Sequence, residues 1–149
     1  MEILEIGEKL EGIDYDYREN SYGIIDYGDK FMLVFNEKGK NYSLPGGGIE
    51  IGETPLDALK REMIEEAGCK ILSAEEIAQV HCFWNSHARL NHVERYSHIF
   101  KVFIDESSIT EPIEQYHQRV FIDKKDAINL IPFPYQIAGI EYYLNKYKN

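Results

Sequence analysis

The sequence is poor in cysteine and in long hydrophobic runs. Its two cysteines, Cys69 and Cys82, are too few for a disulfide framework and form no CxxC metal pair. No apolar run reaches the roughly 18 residues that a transmembrane helix needs. The N-terminal stretch MEILEIGEKL also lacks the basic and apolar regions of a signal peptide. These absences predict a cytoplasmic protein without a membrane span.

Basic residues are also scarce, because 16 Lys and Arg stand against 26 Asp and Glu, for a formal net charge of −10. A nucleic-acid backbone or an anionic membrane would be repelled by such a charge. We therefore expect neither as the main partner. A small polyphosphate remains compatible with the charge, provided that metal ions neutralise the contact locally.

The length and hydrophobic content predict one globular domain over residues 1–149. Hydrophobic residues make up 44% and aromatic residues 13%, which is enough for a real core. Strand-like and helix-like patterns alternate along the chain and predict a mixed α/β (α+β) fold. Residues 1–16 show no clear element. The predicted strands are 17–27, 31–35, 42–44, 75–84, 93–104 and 118–122, and the predicted helices are 55–67, 124–130 and 135–147.

The first predicted helix has clear start and stop signals. Thr54 is a hydroxyl N-cap, Pro55 suits the first helical position, and Gly68 suits the left-handed residue that follows a last turn. Apolar residues recur between these ends at three- and four-residue spacing and predict a buried stripe. The stripe consists of Leu56, Leu59, Met63 and Ala67.

Three glutamates share another face of this helix. Glu62, Glu65 and Glu66 lie at i, i+3 and i+4, so their carboxylates are neighbours and repel one another. A solvated acidic surface would tolerate this, whereas a partly enclosed one needs a cation. Carboxylate oxygens suit Mg²⁺ or Mn²⁺. By themselves the three glutamates favour the plain acidic surface.

The residues around the glutamates complete a longer motif, G-x5-E-x7-R-E-U-x-E-E-x-G-U, in which U is a bulky apolar residue. A run of three glycines introduces it. This stretch resembles the box of the Nudix hydrolase (MutT-type) family, and the resemblance covers residues 47–69. It implies an α-β-α sandwich with a mixed central sheet. The motif positions are Gly47, Glu53, Arg61, Glu62, Met63, Glu65, Glu66, Gly68 and Cys69.

The resemblance also implies an activity and a set of roles. Nudix hydrolases cleave a nucleoside diphosphate linked to another group by attack of water on phosphorus, with Mg²⁺ or Mn²⁺ as cofactor. Glu62, Glu65 and Glu66 would bind the metal, and Glu62 and Glu65 would also serve catalysis. The expected partner is a small nucleotide or nucleotide sugar, and the resemblance allows a homodimer.

Two loops complete the implied site. Amides of Gly46 and Gly47 would line the phosphate path. Arg61 is a candidate for substrate binding, although its fixed cation is better suited to bracing the loop by pairing with Glu53. Residues 85–92 are polar and predict a loop on the side that binds substrate.

The general base is an open question, because Gln118 stands where many Nudix hydrolases supply a further glutamate. We favour Glu114 for this role, ahead of Glu111 and Glu94. A box glutamate is an alternative, and so is His117, because imidazole side chains suit proton transfer near neutrality.

Side chains outside the motif give weaker indications. The spacing of His81, His87, His92 and His98 matches no compact zinc pattern. Phe83, Trp84 and Tyr96 are candidates for base stacking, and Arg18, Arg89 and Arg95 are candidates for phosphate contacts. The substrate markers of the ADP-ribose, dinucleoside polyphosphate and nicotinamide-dinucleotide subgroups are absent. A non-catalytic sensor of a nucleotide metabolite on the same scaffold is the alternative function.

Overall fold

The computed structural model describes residues 1–86 and 91–147, which form two β-sheets with helices packed against them. The strands are β1 (Glu2–Ile6), β2 (Asp16–Ile24), β3 (Lys30–Asn36), β4 (Asn41–Ser43), β5 (Gly46–Gly48), β6 (Lys70–Ser86), β7 (Asn91–Asp105) and β8 (His117–Asp123). The helices are α1 (Pro55–Glu62), which continues as a π-helical turn over Met63–Ala67, α2 (Lys124–Leu130) and α3 (Pro134–Lys146). A short 3₁₀ turn, Glu106–Ser108, follows β7.

The larger sheet is mixed and has the strand order β1-β6-β7-β2-β5. Its β1–β6 and β7–β2 pairs are parallel, whereas its β6–β7 and β2–β5 pairs are antiparallel. The smaller sheet has the order β4-β3-β8 and is antiparallel. Strand β5 is formed by the glycine run itself, so the predicted loop is a short edge strand that pairs with β2.

Two hydrophobic clusters lie on opposite faces of the strands. Along β3, Phe31 and Leu33 point to the cluster under α2 and α3, while Met32 and Val34 point to the cluster under α1. This alternation follows from the two-residue period of a strand whose two faces are both buried. The layers are therefore helix, strands and helix, which confirms the predicted α-β-α sandwich. None of the helices in residues 1–86 and 91–147 is long and apolar enough to cross a membrane.

Helix α1 begins as its sequence predicts. The backbone N–H of Asp57 donates to Thr54 Oγ1 at 3.1 Å, and the N–H of Thr54 donates to the Asp57 carboxylate at 3.2 Å. This reciprocal pair is a capping box. The predicted stripe is largely confirmed, since Leu59, Met63 and Ala67 are fully buried, with the other member of the stripe only half-buried against them.

Two segments differ from the sequence-based expectation. Residues 1–16, for which the sequence predicts no element, contain strand β1, which pairs in parallel with β6 from Glu2 opposite Ala78 to Ile6 opposite Cys82. The expected loop at 85–92 is shorter than predicted, because β6 and β7 extend into it to Ser86 and from Asn91. Residues 87–90 of that loop, with the candidates His87 and Arg89, lie outside the described residues.

The end of the π-helical turn is fastened to the segment that precedes β8. Gly68 adopts a left-handed conformation, with φ of 66°, and its carbonyl accepts the N–H of Thr110 at 2.7 Å. A Cβ atom on Gly68 would lie 2.2 Å from the carbonyl oxygen of Thr110. The guanidinium of Arg119 adds hydrogen bonds to the carbonyls of Ala67 and Thr110. Only glycine fits this junction without moving the segment.

We expect Gly68→Ala to lower the free energy of unfolding by at least about 3 kcal/mol, because it adds a backbone clash to an unfavourable left-handed conformation. Gly12→Ala is the matched control, since Gly12 has φ of 74° but nothing within 4 Å of an added Cβ. Its loss should be about 1 kcal/mol. Urea denaturation measures both values, and equal losses would contradict the role of the close approach.

Candidate functional site

The glutamates of the motif lie where α1 passes into the π-helical turn. Glu62 is the last residue of α1, and Glu65 and Glu66 belong to the turn, whose closing bond runs from the N–H of Gly68 to the carbonyl of Met63. π-Helical turns are rare and are frequently found at functional sites. The three carboxylates remain neighbours, since one nitrogen of Arg61 contacts both Glu62 and Glu65 and the charges of both raise the pKa of Glu66.

Arg61 braces the loop that precedes α1. Its Nε and Nη2 donate to the two carboxylate oxygens of Glu53, at 2.8 and 3.0 Å, and Nη2 also donates to the carbonyl of Gly48 at 2.9 Å. This two-pronged contact lowers the pKa of Glu53 to about 2. It is the pairing that we expected between these two residues.

The same guanidinium also holds two motif glutamates. Arg61 Nη1 lies 2.9 Å from Glu62 Oε1 and 3.3 Å from Glu65 Oε2. Protein oxygens thus contact each nitrogen of the guanidinium, which favours the bracing role of Arg61 over direct contact with substrate. Gly47 makes room for the Glu62 carboxylate, since a Cβ atom at position 47 would lie 2.8 Å from Glu62 Oε1.

Glu66 occupies a different environment. Its side chain is only 13% exposed, and its Oε1 accepts the N–H of Gly46 at 2.9 Å. No arginine or lysine side chain in the described residues forms a hydrogen bond or an ion pair with Glu66. Burial raises the pKa of Glu66 to about 8, and the negative charges of Glu62, Glu114 and Glu65 add to the rise, while the Gly46 hydrogen bond opposes it.

The segment before β8 brings a fourth carboxylate to this place. The N–H of Glu114 donates to the carbonyl of Glu65 at 3.0 Å, which fixes the segment against the π-helical turn. The Glu114 carboxylate lies 2.9 Å from His117 Nδ1, and His117 Nε2 lies 3.5 Å from Glu66 Oε2. Among the candidates for the general base that the sequence suggested, Glu114 and His117 therefore lie beside Glu66.

Glu66, Glu114 and His117 each offer one ligand atom, and these atoms all lie within 4.8 Å of one another. Within the described ranges, no other group of three His, Cys, Asp or Glu residues meets this criterion. The donor set is two carboxylates and one imidazole, a mixed oxygen and nitrogen set that suits a divalent cation. We call these three residues the ligand cluster.

Two concave spaces share His117 of the ligand cluster as a lining residue. A cavity of about 180 Å³ is lined by Gly46, Glu66 and His117. A wider groove of about 570 Å³ is also lined by His117, together with residues of the segment before β8. The groove falls within the range of roughly 300–1,000 Å³ that is usual for small-molecule sites.

The small cavity contains residues that sequence reasoning missed. Tyr22 from β2 and the aromatic residues on either side of Pro134, Phe133 and Tyr135, form part of its lining. Arg95 lies over the Tyr135 ring, at 4.6 Å from its centroid. The available signal was the pair of aromatic residues at the start of α3, but only the fold brings them to β2 and to Glu66.

The other candidates lie apart from the ligand cluster. Glu94 contacts His81 Nε2 at 2.7 Å, and His98 contacts carboxylates of Glu76 and Glu19. These groups occupy a polar face of β2, β6 and β7, together with Tyr96 and beside Phe83. His92 contacts Asn85, Trp84 is half exposed, and Arg18 pairs with Asp16. Glu111 lines the wider groove.

The sequence matches the model of the NUDIX domain family over residues 18–137. Among characterised relatives, it is 25% identical over 134 residues to the chloroplastic Nudix hydrolase 21 of Arabidopsis thaliana, with 90% of this chain and 64% of that protein covered. It is 44% identical over 64 residues to an RNA pyrophosphohydrolase of Ruthia magnifica, which covers 42% of this chain and 34% of that protein. The chain thus spans less than two thirds of the length of either relative.

Solved structures share the fold. A mutator MutT protein from Bacillus halodurans superposes with a TM-score of 0.69 at 19% identity, covering 85% of this chain and 82% of that one. A NUDIX hydrolase from Nitrosomonas europaea superposes with a TM-score of 0.65, also at 19% identity, covering 88% and 90%. At these identities the likeness extends to the architecture alone.

Glu66→Gln should stabilise the metal-free protein at high pH. The folded-state pKa of Glu66 is raised to about 8, above the ordinary carboxyl value of 4.5, so keeping Glu66 ionised costs stability. The cost is absent below pH 4.5 and grows by about 1.4 kcal/mol per pH unit until pH 8. Urea denaturation with a chelator, from pH 5 to 8.5, should therefore show a growing advantage of the variant.

Glu141→Gln is the matched control, because Glu141 is exposed on α3. Its free energy of unfolding should follow that of the unaltered protein across the same pH range. An advantage of Glu66→Gln that does not change with pH would contradict the buried-carboxylate interpretation. In saturating Mg²⁺ the unaltered protein should be more stable than Glu66→Gln, because a bound ion favours the ionised carboxylate.

Proposed function

Because this chain belongs to the NUDIX domain family, we propose that it is a Mg²⁺- or Mn²⁺-dependent pyrophosphohydrolase. Its substrate would be a small nucleotide in which a nucleoside diphosphate is linked to another group. The observation that carries the proposal is the buried Glu66 carboxylate beside Glu114 and His117, where His117 lines two concave spaces. A cluster of carboxylates that lines a cavity and lacks a fixed cation within the described residues is a setting in which a cation and a phosphate chain bind together.

The residues present fit the implied ion. Glu62, Glu65 and Glu66 are the proposed metal-binding carboxylates, and Arg61 neutralises only the first two. Within the described residues, no arginine or lysine therefore neutralises Glu66. When bound there, a divalent ion would lower the pKa of the attacking water and neutralise charge on phosphate oxygens.

Glu114 is the proposed general base. Its backbone bond to Glu65 places it beside the motif, and its Oε1 contacts His117, which leaves Oε2 able to accept a proton from water. The proposed phosphate path runs past Gly46 and Gly47, next to Glu66 and Glu62. Glu62 and Glu65 complete the proposed catalytic set.

The aromatic lining of the small cavity supports a nucleoside as the recognised group. Tyr22, Phe133 and Tyr135 offer ring surfaces against which a base or sugar can pack, and Arg95 adds a positive charge behind Tyr135. The net charge of −10 favours a small nucleotide over RNA, although some relatives carry the name RNA pyrophosphohydrolase. The cytoplasmic location and the homodimer stay predictions.

A non-catalytic sensor of a nucleotide metabolite is the alternative. The feature in its favour was Gln118 in place of a distal glutamate, and Gln118 indeed contacts Glu37 at the surface rather than the ligand cluster. Glu114 supplies a carboxylate from the same region, which supports the enzyme over the sensor.

The test is cleavage of a substrate panel with Mg²⁺, with Mn²⁺ and with chelator. The panel contains nucleoside triphosphates, oxidised nucleoside triphosphates, ADP-ribose, nucleotide sugars, diadenosine polyphosphates and a 5′-triphosphorylated RNA. We expect metal-dependent release of phosphate, pyrophosphate or nucleoside monophosphate from one small-nucleotide class. Glu66→Gln should lower turnover by orders of magnitude, and Glu114→Gln by about 100-fold or more, because general-base catalysis is worth that much.

Glu141→Gln should leave turnover unchanged, and circular dichroism should show that all the variants are folded. Metal-dependent binding of one compound without cleavage of any would favour the sensor. Cleavage of the RNA alone would overturn the small-nucleotide assignment while leaving the hydrolase in place.

A further inference from the structure

His117 opens strand β8 with its side chain only 8% exposed and its ring in the ligand cluster. Both ring nitrogens are directed at carboxylates, with Nδ1 2.9 Å from Glu114 Oε1 and Nε2 3.5 Å from Glu66 Oε2. The resemblance to the family concerns the glutamates of the motif, whereas this imidazole belongs to a segment some fifty residues further along. Its role has to be argued from its contacts.

The contact with Glu114 determines which nitrogen holds the proton. An ionised carboxylate only accepts hydrogen bonds, so the bond at 2.9 Å requires a proton on Nδ1. In the neutral imidazole, Nε2 then has a free lone pair. That lone pair is on the nitrogen nearest to Glu66 Oε2.

The separation of Nε2 and Glu66 Oε2 suits two ligands of one ion. At 3.5 Å the pair is at the outer limit for a hydrogen bond. Two atoms that each lie about 2.1 Å from a common ion are separated by about 3.0–3.4 Å in octahedral or tetrahedral geometry. A shift of a few tenths of an ångström brings both atoms into coordination.

Glu114 then has the position of an outer partner to a metal-binding histidine. Such histidines usually donate their second ring N–H to a carboxylate, which fixes the tautomer and the ring orientation. His117 has this arrangement, because its Nδ1–H donates to the Glu114 carboxylate while its Nε2 faces Glu66. The backbone N–H of Glu114 in turn donates to the carbonyl of Glu65.

We infer that His117 Nε2 is a ligand of the divalent ion that Glu66 binds, so that the site has mixed nitrogen and oxygen donors. This inference rests on the proposed metal-dependent function. An imidazole donor favours first-row transition ions over Mg²⁺, whose preference is for oxygen. The site therefore selects Mn²⁺ over Mg²⁺ more strongly than an all-carboxylate site would.

The test is pulsed electron paramagnetic resonance of the full chain loaded with Mn²⁺, without substrate. A coordinated imidazole adds ¹⁴N modulation to the Mn²⁺ spin echo, and we expect this modulation in the unaltered protein. Growth with ¹⁵N-histidine should replace the ¹⁴N pattern by that of ¹⁵N. This second measurement needs no substitution, so it holds even if a variant fails to fold.

Substitutions then assign the nitrogen. His117→Gln should remove the modulation while Mn²⁺ still binds, with its Kd raised about tenfold or more and the Kd for Mg²⁺ changed by less than about threefold. His81→Gln is the matched control, because His81 also lies between two carboxylates, Glu5 and Glu94, but outside the ligand cluster. It should keep both the modulation and the affinity.

The outcomes separate the inference from the proposed function. Bound Mn²⁺ that is lost in Glu66→Gln but shows no nitrogen modulation would overturn the inference and leave the metal-dependent function intact. His117 would then be a hydrogen-bond partner of Glu114 rather than a metal ligand. Absence of Mn²⁺ binding in the unaltered protein would overturn the inference together with its premise.

Discussion

Repulsion among four carboxylates is the constraint on which the site depends. Glu62, Glu65, Glu66 and Glu114 are close enough for the charges of the other three to raise the pKa of Glu66. Arg61 relieves this repulsion at one end only, where it contacts Glu62 and Glu65. The Glu66 end has an imidazole and a backbone N–H instead of a fixed cation. Among the carboxylates of the motif, Glu66 is therefore the one with the greatest need of the proposed ion.

Three separate stretches of backbone hold the carboxylates in place despite that repulsion. Gly46 in β5 donates to Glu66, the π-helical turn presents Glu65 and Glu66, and the segment before β8 donates from Glu114 to the Glu65 carbonyl. Gly68 lets that segment approach the end of the turn. Backbone hydrogen bonds cost little entropy once the sheets have formed, so they hold like charges together without using side chains that the site needs.

Ionising Glu66 consequently lowers the stability of the folded protein. The buried carboxylate with its raised pKa and the π-helical turn lie within a few residues of one another. Binding a cation would recover part of that free energy, which couples the proposed cofactor to folding as well as to chemistry. Burial of the two hydrophobic clusters, on either face of β3, contributes the free energy of folding that offsets this cost.

The sequence by itself determined the helix limits, the buried stripe and the identity of the motif, because these depend on local spacing. Thr54, Leu59 and Met63 have the environments that their positions predict, and Arg61 pairs with Glu53 eight residues away. Local patterns also gave most strands, although β1 escaped, since its pairing with β6 is a contact between residues more than seventy positions apart.

Only the tertiary structure decided which distant residues complete the site. Strand pairing brings His117 and Tyr22 to Glu66, the packing of α3 brings Tyr135, and a backbone hydrogen bond to Glu65 brings Glu114; no local sequence spacing predicts these contacts. Gln118, placed where a glutamate was expected, faces the surface instead, while Glu114 reaches the cluster because the chain turns immediately before β8. Spacing encodes a helix face, but the meeting of a helix end with a later strand is determined by packing.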